Sequence, residues 1–315
     1  MHTAYISHPA CHLHDPGEDH PETARRISSI EDRLISNGLF DLLRHFEAPA
    51  ITDRQLLRIH SEGHLAMLQA ALPTDGYFRL DPDTVLNPAS LEAARRAAGA
   101  AVHAVDLLMD GRADNAFCCV RPPGHHAERA QAMGFCLFNN IAAGAAHALE
   151  EYALERIAIV DFDVHHGNGT EDIFLDDDRV LFCSTFQHPF YPFTPLLENT
   201  HHRISVPLDA TAGSVEFRGA VTELWVPALQ RFRPQMVFVS AGFDAHRDDD
   251  MSGVSLEDDD FRWVSELIVE QAARSAAGRV VSTLEGGYEY RSLARCVELH
   301  LRALMGLDPG ALPDR

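Results

Sequence analysis

Residues 156–169 decide the fold class and carry the strongest chemical signal; they read Arg156-Ile157-Ala158-Ile159-Val160-Asp161-Phe162-Asp163-Val164-His165-His166-Gly167-Asn168-Gly169. The apolar, mostly β-branched run at 157–160 is typical of a strand buried on both faces of a parallel sheet. A segment rich in Asp, His and Gly follows at once. We therefore predict a strand over 156–162 whose carboxyl end carries polar, metal-capable side chains.

A short apolar run followed by a helical stretch recurs along the chain. Four further strands are predicted at 115–120, 180–185, 235–240 and 279–284. Helices that end near glycines are predicted at 90–110, 255–277 and 291–305. Because alternating strands and helices pack as parallel units, the sequence predicts an α/β fold with one open, mostly parallel sheet flanked by helices. We predict a single domain over residues 1–315.

Polar segments follow four of the predicted strands. Besides 163–169, these segments are Arg121-Pro-Pro-Gly-His125-His126, Ala241-Gly-Phe-Asp244-Ala-His246 and Glu285-Gly-Gly-Tyr288. Ligands of open α/β sheets bind beyond the carboxyl ends of the strands. The sequence therefore predicts an active site where these segments meet.

Alternate residues of the first segment can converge on a metal ion. Asp161, Asp163 and His165 point the same way if the strand continues. Asp163 and His165 could each supply one ligand, and Asp244 would complete an open three-ligand site of the catalytic zinc type. The alternative is that the acids cap a helix and the histidines fill a polar core. Carboxylates buried together without a metal would repel each other, which disfavours that alternative.

Two other segments carry candidate catalytic side chains. His125 and His126 could supply a general base and an electrostatic partner, although such a pair taken alone is more often structural. Two glycines before Tyr288 let the backbone bend and bring a phenol toward the crevice, where it could donate to an oxyanion. Taken alone, that segment is an ordinary turn with a packed aromatic ring.

Composition limits the classes of partner. The 315 residues include 26 Lys and Arg against 47 Asp and Glu, a net charge of −21. Such a chain repels phosphate backbones and anionic lipids, so we expect neither nucleic acid nor membrane as a direct partner. No apolar stretch approaches the ~20 residues that cross a bilayer. The acidic runs are predicted to be solvated faces or helix starts; they lie at 176–178, 248–250 and 258–260.

Six cysteines without a CxxC pair predict buried free thiols in a reducing compartment, so we expect a cytoplasmic protein. Neither a Walker sequence nor a Gly-x-Ser-x-Gly elbow is present, which leaves P-loop and serine hydrolase chemistry without support.

Taken together, the motifs closely resemble the histone deacetylase family of the arginase/deacetylase superfamily. They are Arg121-Pro-Pro-Gly-His125-His126-Ala, Gly134-Phe135-Cys-Leu-Phe-Asn139-Asn140, Asp161-Phe-Asp163-Val-His165-His166-Gly-Asn168-Gly, Ser240-Ala-Gly-Phe-Asp244-Ala-His and Leu284-Glu-Gly-Gly-Tyr288. Glu285 and Asn168 are similar to the class II branch and its bacterial amidohydrolase relatives. The resemblance runs from about residue 8, through His20-Pro21-Glu22, to about residue 305.

The resemblance implies a set of site residues. One zinc ion per chain would bind Asp163, His165 and Asp244. His126 would be the general base and acid, with His125 as its electrostatic partner. The supporting roles fall on Asp161, which would pair with His125; on Asn168, at the position of the aspartate that orients the second histidine; and on Tyr288, which would polarise the amide carbonyl.

The resemblance also implies substrate and potassium contacts. Gly134, Phe135 and Tyr191 would line an acyl-lysine tunnel, and Asp81 would hold the substrate backbone at the rim. A structural potassium would sit on Asp161, Asp163, His165, Ser184 and Thr185. The chain departs from the family pattern at Asn168, at Thr185-Phe186 in place of Leu-His, at Tyr191 in place of Phe, and at Gly167, where the arginases have a ligand to a second metal.

The sequence thus predicts a zinc-dependent amidohydrolase that removes acetyl or a similar short acyl group from lysine side chains of proteins or peptides. One alternative is an acetylpolyamine amidohydrolase, which a long insertion narrowing the tunnel would favour; none is obvious between Gly76 and Asp81. Another is a weakly active acyl-lysine-binding module, against which Tyr288 speaks because the poorly active branch has His there. Zinc or iron as the natural metal, and homo-oligomer formation, are left open.

Overall fold

Eight parallel strands form one open sheet in the computed structural model, which describes residues 1–308. Their spatial order is β2-β1-β5-β10-β9-β6-β7-β8, and a two-stranded antiparallel ribbon, β3-β4, lies apart. The strands are β1 Thr3–Ser7, β2 Arg44–Glu47, β3 Phe78–Arg79, β4 Val85–Leu86, β5 Asn115–Cys118, β6 Ile157–Asp161, β7 Val180–Gln187, β8 Arg203–Leu208, β9 Met236–Ala241 and β10 Val280–Leu284.

Helices flank this sheet and connect its strands. They are α1 Ala10–Leu13, α2 Arg25–Ser36, α3 Asp53–Leu56, α4 Glu62–Ala71, α5 Ser90–Met109, α6 Asn140–Glu151, α7 Asn168–Ile173, α8 Ser214–Ala220, α9 Val226–Phe232, α10 Asp258–Ser275 and α11 Tyr290–Met305, with a 3₁₀ turn at Phe40–Leu42 and a π turn at Val221–Trp225. The predicted α/β class and the open, mostly parallel sheet are confirmed. The single domain over 1–315 stays a prediction, and residues 309–315 lie outside the described part.

The five predicted strands all form, with ends shifted by at most two residues. Within the eight-stranded sheet, the three strands that were not predicted, β1, β2 and β8, lie toward the two edges; β3 and β4 of the separate ribbon were not predicted either. Strand β2 is exposed over most of its length, and β8 contains Pro207 in an interrupted apolar pattern. Edge strands such as β2 and β8 do not need the continuous apolar run that marks a strand covered on both faces. Strand β1 is buried between β2 and β5, but its apolar run, residues 4–6, is only three residues long.

The sheet order brings the four polar segments together. Strands β5, β10, β9 and β6 are consecutive neighbours at the centre of the sheet, although they are far apart in the chain. Register aligns their carboxyl ends, since Asp161 lies opposite Ser240 and Thr283 lies opposite the same serine. The loops that follow these strands therefore share one crevice, as the strand-end rule predicted.

The core confirms the prediction for the thiols. All six cysteines are free and buried. Across residues 1–308, the helices are too short or too polar to span a bilayer.

His300 of α11 is a buried histidine that packs against the rings of Phe117, Phe162 and Phe243. Its Nδ1 lies 2.7 Å from Ser265 Oγ and its Nε2 lies 2.9 Å from Ser282 Oγ. Ser265 donates its hydroxyl to the Phe261 carbonyl, so it accepts from Nδ1–H of His300, and Ser282 donates to Nε2. Burial lowers the pKa of this imidazole to about 3. His300 is therefore neutral in the folded chain.

We expect His300 to make the fold acid-sensitive. Between about pH 6.5 and 3 the unfolded chain binds a proton on this side chain that the folded chain does not. The free energy of unfolding therefore falls as pH falls, by up to about 1.4 kcal/mol per unit from this residue. In His300→Gln this contribution is lost, and urea unfolding at pH 6 and pH 5 should give a smaller difference than in wild type. If the free energy of unfolding changes equally between the two pH values in both proteins, the neutral state of His300 in the folded chain is contradicted.

Candidate active site

Asp163, His165 and Asp244 form a buried cluster at the ends of β6 and β9. Nδ1 of His165 lies 3.1 Å from Asp163 Oδ1 and 3.1 Å from Asp244 Oδ2. One potential ligand atom from each residue lies within 4.8 Å of the others. The structure thus brings together the three residues predicted to bind metal.

Backbone groups hold both carboxylates of the cluster in place. Gly286 N–H donates to Asp163 Oδ2 at 2.8 Å, and Val164 N–H donates to Asp244 Oδ1 at 3.0 Å. The glycines around them leave room that a side chain would fill. A Cβ atom at Gly286 would lie 2.2 Å from Asp244 Oδ2, and one at Gly242 would lie 2.0 Å from Asp163 Oδ2.

The donor set fits one divalent transition-metal ion. Two carboxylate oxygens and one imidazole nitrogen suit zinc, and also iron(II). Without a cation, burial and the neighbouring charge of Asp163 raise the pKa of Asp244 to about 6. A dication would relieve that repulsion.

The histidine pair occupies two different electrostatic environments beside the cluster. His125 Nδ1 lies 2.9 Å from Asp161 Oδ2, whereas His126 Nδ1 lies 2.7 Å from Asn168 Oδ1. Burial lowers the pKa of His125, but the charges of Asp161 and Asp163 outweigh it and raise the value to about 10. Burial and the adjacent His125 lower the pKa of His126 well below its usual range. His126 is thus the neutral member and can accept a proton.

Gly134 allows His126 to sit where it does. This glycine has φ of 57°, in the left-handed region, and a Cβ there would lie 2.4 Å from His126 Cδ2. Only glycine satisfies both demands. Glu285 holds the backbone before the two histidines in place, since its Oε2 accepts the backbone N–H groups of Gly124 and His125 at 2.7 and 3.1 Å.

A cavity of about 290 Å³ opens onto the histidines. Its walls are largely aromatic, and it is lined by Asp83, Pro123, His125, His126, Gly134, Phe135, His165, Phe190, Tyr191, Met251, Gly286 and Tyr288. The Tyr191 ring stands edge-on to His126 at 5.2 Å, and Phe190 stacks on His165 at 5.4 Å between centroids. The three residues predicted for the tunnel therefore lie in the wall, and Phe190 and Met251 join them without having been predicted.

Asp81, the aspartate predicted to hold the substrate backbone at the rim, is not among the residues that line the cavity. Asp81 Oδ1 accepts the backbone N–H groups of Asp83 and Thr84 at 3.0 and 2.6 Å, so its carboxylate closes a turn. Asp83, two residues later, lines the cavity instead. Substrate contact by Asp81 stays a prediction.

Tyr288 lines the cavity and is packed between Arg26 and Phe135. The Arg26 guanidinium lies 4.9 Å from the centre of the ring, and the Phe135 ring meets it edge-on at 5.9 Å. Arg26 also donates through Nε to Gly287 O at 2.6 Å and reaches Glu285 O, so it braces the segment before Tyr288. Burial raises the pKa of Tyr288 well above 10, which keeps its hydroxyl a donor.

Asp249 anchors the backbone of the tyrosine. Its Oδ2 accepts the N–H groups of Tyr288 and Glu289 at 2.6 and 3.0 Å, and its Oδ1 accepts that of Met251 at 3.1 Å. The prediction that 248–250 is a solvated face is wrong for Asp249, which is 5% exposed, because its carboxylate turns inward to these N–H groups. At 258–260 a helix start does form, in the first turn of α10.

The proposed potassium ligands come from neighbouring strand ends. Asp161 of β6 lies opposite Ser184 of β7 in the sheet register. Ser184 Oγ is 3.3 Å from His166 Nδ1, and Thr185 Oγ1 is buried without a hydrogen-bond partner among residues 1–308. Potassium binding at Asp161, Asp163, His165, Ser184 and Thr185 stays a prediction.

The chain is similar in sequence to known proteins over most of its length. A model of the histone deacetylase domain matches residues 20–304. The chain is 38% identical over 294 residues to the histone deacetylase-like amidohydrolase of Pseudomonas aeruginosa. The aligned region covers 91% of this chain and 76% of that protein. It is 33% identical over 314 residues to the mouse (Mus musculus) polyamine deacetylase HDAC10, covering 94% of this chain and 46% of that protein.

The fold agrees as well. The crystal structure of the HDA15 HD domain superposes with a TM-score of 0.91 at 31% identity, covering 99% of this chain and 91% of that chain. The arginase/deacetylase-like architecture expected from the sequence is thereby confirmed. With a domain match over most of its length, and relatives that are deacetylases and amidohydrolases by name, the chain belongs to the histone deacetylase family.

Proposed function

We propose that the chain is a zinc-dependent amidohydrolase that removes acetyl or a similar short acyl group from lysine side chains of proteins or peptides. One observation carries the proposal: a single aromatic-walled cavity is lined by His126, Tyr288 and His165, and His165 shares the buried cluster with Asp163 and Asp244. A metal-ligand set, a neutral imidazole base and a phenol donor on one cavity suit amide hydrolysis.

The residues divide the chemistry among them. When bound by Asp163, His165 and Asp244, zinc would supply Lewis-acid polarisation of the amide carbonyl and lower the pKa of water. His126 donates its Nδ1–H to Asn168 and so keeps Nε2 available to accept the proton of the attacking water. Tyr288 donates its hydroxyl to the oxyanion that develops on the carbonyl. As the C–N bond breaks, the proton that His126 accepted passes to the leaving amine, and the water oxygen stays on the released carboxylate.

The cavity walls favour a slender aliphatic chain. Phe135, Phe190 and Tyr191 offer apolar faces to the methylene groups of a lysine side chain. Asp83 places one carboxylate on the cavity, and the net charge of −21 attracts a cationic substrate. These features support a neutral acyl amide carried on a lysine-like chain.

Acetylated polyamines are the second candidate substrate class. The relative from Mus musculus is named a polyamine deacetylase, and a polyamine chain would meet the same aromatic walls. A weakly active acyl-lysine-binding module is a third reading, and Tyr288 in the cavity wall argues against it because a module that only binds needs no oxyanion donor.

Competition between substrates tests the proposal. Zinc-loaded protein would be given an acetyl-lysine peptide, an acyl-lysine series of rising chain length, and N-acetylated putrescine and spermidine. We expect the highest kcat/KM on the short acyl-lysine peptides. Preference for the polyamines by tenfold or more would select the second candidate, and turnover of none of them would reject the amidohydrolase proposal.

A further inference from the structure

The side chain of Asn168 lies between the histidine base and an acidic side chain that the proposed chemistry leaves unused. Its Oδ1 is 2.7 Å from His126 Nδ1, and its Nδ2 is 2.7 Å from Glu128 Oε1. Nδ2 also lies 3.4 Å from Met133 Sδ. Asn168 is buried and Glu128 is half-buried, so the side-chain amide of Asn168 is shielded from solvent.

An asparagine amide has two ends of almost equal size, and its neighbours decide which end faces which group. A carboxylate oxygen and a thioether sulfur are acceptors, so the NH₂ end of Asn168 must face Glu128 and Met133. The carbonyl end must then face His126, which has to donate through Nδ1–H. The lone pair of His126 is left on Nε2.

The backbone holds the two ends of this chain of hydrogen bonds in fixed positions. Glu128 donates its N–H to Gln131 O at 2.9 Å, and its carbonyl lies 2.9 Å from His60 Nδ1. A Cβ at Gly169 would lie 2.3 Å from Ala127 O, so the segment of Asn168 packs directly against the segment that carries His126 and Glu128. The carboxylate therefore has a defined position relative to the amide.

We propose that Glu128 is a positioning residue: by accepting from Nδ2 of Asn168 it fixes the orientation of that amide, and through it the Nδ1–H tautomer of His126. The inference rests on the proposed role of His126 as general base. Glu128 is thereby linked to the base His126 through two hydrogen bonds, one on each side of Asn168, and it adds a carboxylate to a His–Asn pair that is uncharged.

The donor and acceptor roles of these side chains predict the effect of reversing the charge at residue 128. A lysine at this position can only donate, so the amide would turn its oxygen toward residue 128 and its NH₂ end toward His126. His126 would then accept at Nδ1 and carry its proton on Nε2, where it cannot act as a base. With aspartate at 168, both oxygens accept, so Lys and His126 are satisfied together.

The test is a set of variants in zinc-loaded protein, assayed with an acetyl-lysine peptide: Glu128→Gln, Glu128→Lys, and Glu128→Lys combined with Asn168→Asp. General-base catalysis contributes roughly 10²–10⁴-fold, so we expect Glu128→Lys to lower kcat by about 10²-fold with KM nearly unchanged. Glu128→Gln keeps an acceptor oxygen and should stay within about threefold of wild type. The double variant should regain at least tenfold over Glu128→Lys.

Gln131→Lys is the matched control, because it adds a positive charge three residues away on an exposed side chain. It should match wild type. Zinc content and thermal midpoint should be unchanged throughout. If Glu128→Lys does not fold, Glu128→Ala replaces it: without the acceptor at residue 128 the Asn168 amide can turn, so kcat should fall at least about fivefold, more than in Glu128→Gln.

Normal kcat in Glu128→Lys, or a double variant no better than Glu128→Lys with zinc still bound, would overturn the positioning role. So would normal kcat in Glu128→Ala. These outcomes leave wild-type turnover intact and so concern Glu128 alone. A wild-type protein that hydrolyses none of the acyl amides would instead reject the proposed function, which separates the two failures.

Discussion

Replacing Asp244 by alanine is expected to remove bound zinc and hydrolytic activity together. Asp244 supplies one of three ligand atoms, and it is the one ligand that comes from the end of β9. Its loss leaves Asp163 and His165, two ligands from a single loop, and an open site of two ligands holds zinc poorly. We expect less than one tenth of an equivalent of zinc after dialysis. We also expect kcat to fall by at least about 10³-fold, since polarisation of the carbonyl and activation of water are lost together.

Metal analysis and a deacetylation assay on the same sample check this prediction. Asp250→Ala is the matched control, because Asp250 is exposed and lies six residues further along the same segment. One full equivalent of zinc in Asp244→Ala would contradict the ligand assignment. Two equivalents in wild type that both survive Asp244→Ala would do the same, since two further clusters, Asp178-His201-His202 and His246-Asp258-Cys296, could take zinc instead.

Replacing Tyr288 by phenylalanine is expected to lower turnover while leaving binding intact. The change deletes the hydroxyl and keeps the ring that packs against Arg26 and Phe135. A donor to a developing oxyanion acts mainly in the transition state, so its removal should lower kcat by roughly 10²–10³-fold, or about 2.7–4 kcal/mol. KM and zinc content should change little, because ground-state binding comes from the cavity walls.

Steady-state kinetics with a fluorogenic acetyl-lysine substrate measure the effect. Tyr290→Phe serves as control: its hydroxyl lies 3.1 Å from Thr23 Oγ1, outside the cavity, so the variant should behave as wild type. Wild-type turnover in Tyr288→Phe would mean that the hydroxyl contributes nothing to the oxyanion and that the Glu-Gly-Gly-Tyr segment is structural.

The central part of the fold could be predicted because it obeys a strong local rule. Strands covered on both faces must be apolar throughout, so β5, β6, β7, β9 and β10 stand out in the sequence. The polar residues after them have few reasons to be there other than chemistry, which is why Asp163, His165 and Asp244 could be grouped before their distances were known.

The parts that were missed depend on long-range geometry. Nothing local separates Asp249 from the aspartates on either side of it; its inward turn depends on the N–H groups of Tyr288 and Glu289, some forty residues away. The difference between Asp81 and Asp83 is the conformation of one turn. Glu128 acquires its contact with Asn168 only when two loops pack together.

Zinc-dependent release of acetate is the most direct test of the account. Purified chain, stripped with a chelator and then given one equivalent of zinc, would be incubated with an acetyl-lysine peptide while free lysine peptide and acetate are quantified. We predict equal amounts of both products, no turnover in the stripped protein, and full recovery at one equivalent. Hydrolysis that persists without metal, or none on any acyl-lysine or acetylpolyamine substrate at one equivalent, would contradict it.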